Sequence, residues 1–240
     1  MTVNTEPPGW GEDEITRFLA AAHSNTLTTF AHQPEFYAHV GAIDAIYREL
    51  AGLFRSGEDW LPGVFFLRVH ASLLGGMRLA VSGQVSETYP LLRSALESAL
   101  YALYIHDSPP RARIWLDRGD SPEARAAMKR EFRMVNVLAC LERKSAIIHS
   151  RVNTLYERAI DYGAHPNPQA FLTNMSIEQG PDTTRLQLNY LAGNSDAIQF
   201  VLKTVLQVGL TSLDVFGLIV PERFNILGID QRIKNLGRGL

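Results

Sequence analysis

Apolar residues recur at intervals of three and four through most of this chain, and that period commits it to helices rather than strands. Phe36, Val40, Ile43, Ile46, Tyr47, Leu50 and Leu53 form one such series behind Pro34, which a first helical turn tolerates. Residues 61–81 form a second, and LLRSALESALYALYI, running up to His106, belongs to a third. Residues 195–220 make the last long one, in which Gln199, Lys203, Gln207 and Thr211 step by four along one polar line. With Lys203, Gln207 and Asp214 inside it, this segment reads as a mostly buried helix and not as a membrane span. The expected fold is all-α, a multi-helix bundle of about six to seven helices.

The punctuation of the sequence sets the expected boundaries. Residues 12–22 suit a short first helix, and SNTLTTFAHQ after it is loop-like. Helix two ends near RSGED. Gly75 and Gly76 cost helix propensity, so they mark a close helix crossing or a bend. Gly83 allows a break, after which Ser86 or Thr88 caps the next helix, because Pro90 belongs near a helix start. DSPP stops that helix, and SPEAR restarts with Ser121 as cap and Pro122 in first position. From Val137 to Tyr162 the helical spacing continues up to Gly163, which suits a left-handed C-terminal cap.

Near 173–191 the period changes. SIEQ and RLQLNYL alternate around GPDTT, which fits a small β-hairpin. With 240 residues and 46% apolar content, one core is the default. The expected organisation is a disordered tail at 1–12, a single helical domain at 13–225 and a loosely held C-terminal tail at 226–240.

Charge and cysteine usage narrow the setting. Against 25 acidic residues stand 23 basic ones, a formal net of -2, which leaves no footprint for duplex DNA or an anionic membrane surface. Cys140 is the single cysteine, so no disulfide framework or thiolate-rich zinc site is expected; it reads as a small buried hydrophobe. A reducing cytoplasm fits, and MTVNTEPPGWGEDE reads as a frayed polar tail rather than a signal peptide. GxGxxG after a strand, a Walker loop, GxSxG and HExxH are all missing, so no cofactor is expected. His32, Glu35 and His39 cluster in HQPEFYAH, but a di-metal helical site needs Glu-x-x-His pairs, and none occurs. No metal is expected.

Two polar features stand in apolar surroundings. Tyr89, Arg93, Glu97 and Tyr101 step by four, flanked by Leu92, Leu96, Leu100 and Leu103. Arg93 with Glu97 is either a structural ion pair or a ligand-binding pair, the guanidinium fork meeting an anionic or polar group while Glu97 orients it. In RAIDYGAHPNP, Asp161 sits where a negative charge opposes the helix dipole, so Arg158 or His165 should compensate it. A carboxylate beside His165 would raise the imidazole's proton affinity. The bland reading of HPNP is a rigid surface turn.

A long helix carrying LLRSALESALYALYI and a later helix ending in a histidine-proline loop resemble a group of uncharacterised bacterial helical proteins, which are in turn similar to the HEPN superfamily. The resemblance spans residues 65–220. It implies a dimer and, for the nuclease members, an arginine and a histidine separated by four to six intervening residues, usually with a polar residue after the arginine. Arg158 and His165 fit the spacing, although Ala159 follows the arginine; Arg17 with His23 and Arg143 with His149 fit it too. His165 is favoured for lying in a loop. On this reading His165, Arg158 and Asp161 are the catalytic candidates, His165 moving a proton at a ribose 2'-hydroxyl or the leaving oxygen and an arginine stabilising phosphate charge. Arg93, Glu97, Tyr89, Tyr101 and Asn167 are the ligand-binding candidates. RNA or a nucleotide is the expected partner. The rival expectations are a non-catalytic scaffold or interaction module, and a small-ligand-binding helical sensor.

Overall fold

The structure is a computed structural model that describes residues 6–52, 60–165, 168, 175–180, 183–193 and 196–240. Leu53, the RSGED segment and Asn167 lie outside the described residues. The elements run α1 (Glu14–His32), α2 (Pro34–Ala51), α3 (Trp60–Val81), α4 (Val85–His106), α5 (Pro109–Leu116), α6 (Pro122–Glu131), α7 (Met134–Lys144), α8 (Ala146–Ala159), β1 (Met175–Gln179), β2 (Thr184–Leu188), α9 (Asp196–Gly217), α10 (Pro221–Ile226) and α11 (Ile229–Leu236). The all-α expectation holds. The helix count does not: eleven α-helices are present among the described residues, because several short ones escape periodicity and one long pattern is divided.

The core forms where the apolar series face one another. Ile43, Ile46, Tyr47 and Leu50 of α2 are buried against α3 and α9. Tyr47 and Phe66 rings lie 5.2 Å apart and Phe66 meets Phe216 edge-on at 4.9 Å. Each such side chain contributes about 1.5–3 kcal/mol of burial. The Tyr47 hydroxyl donates to the Gly209 carbonyl at 2.9 Å, so this buried aromatic stays satisfied. Gly75 and Gly76 mark a close crossing: a Cβ on either would lie 3.1 Å from the leucine tips of Leu91 or Leu92 on α4. Between α3 and α4, Gly83 turns the chain at φ +91°, and its carbonyl accepts from Ala192 at 2.8 Å.

Four boundaries differ from expectation for identifiable reasons. SNTLTTFAHQ is helical rather than a loop, since α1 continues to His32. There Asn25 Nδ2 donates to the Ser82 carbonyl at 3.1 Å and Thr29 Oγ1 to that of Val81 at 3.0 Å, capturing carbonyls at the C-terminal end of α3 that no helical turn follows. The expected single helix from 137 to 162 is two, because Ser145 is extended and its hydroxyl caps Ile148. Neither Ser86 nor Thr88 begins α4, which starts at Val85 with Thr88 Oγ1 bonded back to the Gln84 carbonyl. Residues 229–236, expected to be loosely held, form α11 with Ile229 and Ile233 buried.

Other features follow the sequence. Ser121 Oγ accepts from Ala124 N at 3.0 Å and Pro122 opens α6. β1 and β2 pair antiparallel, Met175 opposite Leu188 and Gln179 opposite Thr184. Cys140 is buried and donates to Asp107 at 3.4 Å, while burial, then Asp107, push its thiol pKa up. Two described helices, α3 and α9, are long and apolar enough to cross a membrane by length and composition; 72% of the apolar window of α9 is buried inside the fold, against 44% for α3, whose Trp60, Val64 and Leu67 stay exposed.

Candidate functional site: the cleft between α8 and α9

A five-residue π turn, Ile160–Ala164, ends α8 and lies against the first turn of α4. Gly163 is not left-handed as the cap pattern suggests; its φ is 168°. What requires glycine is proximity. A Cβ there would stand 2.9 Å from the Ser86 carbonyl carbon and closer still to its oxygen. Pro90, four residues on from Ser86, has no N–H to give that carbonyl within α4. The helix carrying Arg93 and Glu97 and the turn carrying Asp161 are therefore neighbours. They meet through aromatic rings, Tyr89 against Tyr162 at 5.5 Å, rather than through charges.

Arg93 and Glu97 close on themselves. Arg93 Nε donates to Glu97 Oε1 at 2.8 Å, Arg93 Nη2 to the Tyr156 hydroxyl at 2.9 Å, and that hydroxyl to the same Glu97 oxygen at 3.0 Å. Burial disfavours the Arg93 charge, but Glu97 and Tyr156 more than restore it, so its pKa is raised. Burial, then Glu97, push the Tyr156 phenol up to about 12, so it remains a donor at neutral pH. Tyr101 reaches the Phe132 carbonyl at 3.4 Å and packs on Phe132 instead of joining this triad. Tyr89 is fully buried; its hydroxyl lies beside Thr204 and Arg158 without a bond of good geometry.

Arg158 does not turn to Asp161 or His165. Its Nη1 donates to Gln207 Oε1 at 2.6 Å and to Thr204 Oγ1 at 3.1 Å, and its guanidinium carbon sits 4.7 Å from the Phe200 ring centre, all on α9. Asp161 and His165 are exposed, and among the described residues neither pairs with the other or with Arg158. The alternative arginine-histidine pairs are not joined either: Arg17 is bound to Glu14 at 2.7 Å, and His149 lines a shallow groove with Leu138 and Tyr156.

The residues that do converge are only partly those the sequence singles out. Arg151, Thr154 and Arg158 lie at i, i+3 and i+7 on α8, one face of that helix, and they look across to Gln207 and Thr211 on α9. Together with Leu155, Leu210 and Leu240 they enclose a cleft of about 220 Å³. Arg151 Nη1 is 2.8 Å from Asp214 Oδ2, and burial raises the Asp214 pKa despite Arg151. The usable signal is the pairing of two polar lines, 151-154-158 on α8 and 207-211 on α9, beside the buried residues Val152, Leu155 and Leu210.

A second cavity, about 110 Å³ between α1 and the α3–α4 turn, is lined by Asn25 and Thr29, whose donors already serve the α3 carbonyls. Asp44 bonds His70 at 2.7 Å and Arg48 at 2.6 Å; burial opposes its charge, but these two partners hold its pKa below the ordinary value. Among the described residues no group of three or more His, Cys, Asp or Glu side chains could hold a metal. Compared with known proteins, the chain matches no family model, no curated protein and no solved structure.

Proposed function

We propose that this chain is a helical ligand-binding protein that takes a small molecule in the cleft between α8 and α9. The observation that carries the reading is the chemistry of the cleft wall. Hydroxyls of Ser150, Thr154 and Thr211 and the amide of Gln207 share it with Leu155 and Leu210, an apolar pocket with a few convergent polar groups. A binding role is favoured over metal-independent RNA cleavage because Arg158 spends two donor contacts on α9 while His165 stands in solvent. General acid-base chemistry needs both groups within reach of one phosphate.

The test is to close the cleft mouth. Thr154 is exposed on the rim, so Thr154→Trp obstructs the space without disturbing the core. Titration with the neutral fluorophore N-phenyl-1-naphthylamine should give single-site binding to the unmodified protein, lost in Thr154→Trp. Unchanged binding in the variant places the ligand elsewhere and removes the proposal.

A further inference from the structure

We infer that the cleft selects a compact anionic head, carboxylate or phosphate, carried on a short apolar body, with Arg158 as the group that recognises the charge. The inference rests on the cleft being the binding site and adds the class of ligand. It begins from the unequal condition of the two arginines. Arg151 is neutralised by Asp214 at 2.8 Å. Arg158 is half-buried, and both its protein bonds go to neutral oxygens, Thr204 Oγ1 and Gln207 Oε1. Among the described residues no carboxylate pairs with it.

A guanidinium has five N–H donors in a planar fork, and only Nη1 of Arg158 is used by the described residues. A partly desolvated cation with free donors gains most from an anion that takes two of them at once. Gln207 and Thr204 hold the fork in place and Phe200 supports one face, so the group is pre-oriented before any ligand arrives. Arg151 already holds Asp214 at 2.8 Å, whereas the described partners of Arg158 are neutral oxygens. The anion therefore sits at the Arg158 end. Leu155, Leu210 and Leu240 line the same cleft and receive an apolar body. The volume, about 220 Å³, suits a short chain.

The test compares ligands that share a body and differ in the head: octanoate, octyl phosphate and 1-octanol, titrated calorimetrically into the full chain. Both anions should bind at least ~tenfold more tightly than the alcohol, the gain of a charged hydrogen-bonded pair over a neutral one. Whichever anion binds more tightly identifies the head, and either order supports the assignment. Arg158→Gln should bring anions and alcohol to equal affinity. Thr154→Glu, an exposed change that sets a carboxylate one turn before Arg158, should do the same without removing any bond that reaches another helix. The inference is overturned if the alcohol matches the anions in the unmodified protein, or if Thr154→Glu keeps the preference. It is also overturned if none of the three binds. Equal binding of alcohol and anions removes the head-group assignment alone and leaves the cleft as the site, whereas N-phenyl-1-naphthylamine binding that survives Thr154→Trp removes the cleft itself.

Discussion

A single methyl group separates Gly163 from alanine, and the molecule has no room for it. Its Cβ would collide with main-chain atoms of Ser86, which cannot rotate away as a side chain could. Overpacking of this kind costs about 1–3 kcal/mol, so Gly163→Ala should lower the urea midpoint accordingly. Gly41 supplies the opposite sign. It is an exposed residue inside α2, and a methyl group there would meet nothing within 4 Å, so Gly41→Ala should stabilise by about 0.5–1 kcal/mol through reduced chain entropy. Equal effects from the two substitutions would show that proximity to Ser86 is not what selects Gly163.

At the level of elements, α1 is attached differently from the rest. Of its 19 residues Ala22 alone is buried, and Asn25 and Thr29 fasten it to the end of α3. A helix held mainly by polar clasps should open more readily than one held by burial. Hydrogen exchange should be fast in α1 and slow in α9, and Asn25→Ala with Thr29→Ala should each cost about 0.5–1.5 kcal/mol and speed α1 further. Equal protection of α1 and α9 would contradict this. The same contacts explain why the second half of α1 is illegible in the sequence: SNTLTT has poor intrinsic preference, and its partners lie 52 and 57 residues away. α2, α3, α4 and α9 are legible because their own apolar spacing defines the buried face. α5, α10 and α11, eight residues or fewer, are too short for a period to emerge, and a hydroxyl cap at Ser145 divides α7 from α8 without interrupting the apolar pattern.

For the whole molecule, carboxylates clasping neighbouring helices set the acid limit. Asp107 takes Lys144 at 2.7 Å and Arg111 at 3.3 Å, and the Lys144 bond is the main cause of its depressed pKa. Glu131 accepts from Tyr104 at 2.8 Å and from Arg111 at 3.0 Å, with the Tyr104 bond foremost in lowering its pKa. A carboxylate with a lowered folded pKa stabilises fully above its unfolded value and loses that contribution as pH falls through the folded one. Urea midpoints should therefore be level from neutral pH down to about 5 and fall below about 4, with a shallower fall in Asp107→Asn. An unaltered slope in that variant would remove Asp107 from the account. The candidate site is half legible at this scale: Arg158 stands out in the sequence, but its partners Thr204 and Gln207 are 46 and 49 residues on, and only folding brings them together. Asp161 and His165 stand out through local chemistry, yet both lie in solvent. The most direct measurement follows the side-chain Nε resonances of 15N-labelled protein during titration with octanoate. The account predicts that Arg158 Nε shifts saturably with the amides of Thr154 and Leu210, while the His165 ring stays unmoved; a shift at His165 with Arg158 unaffected would contradict it.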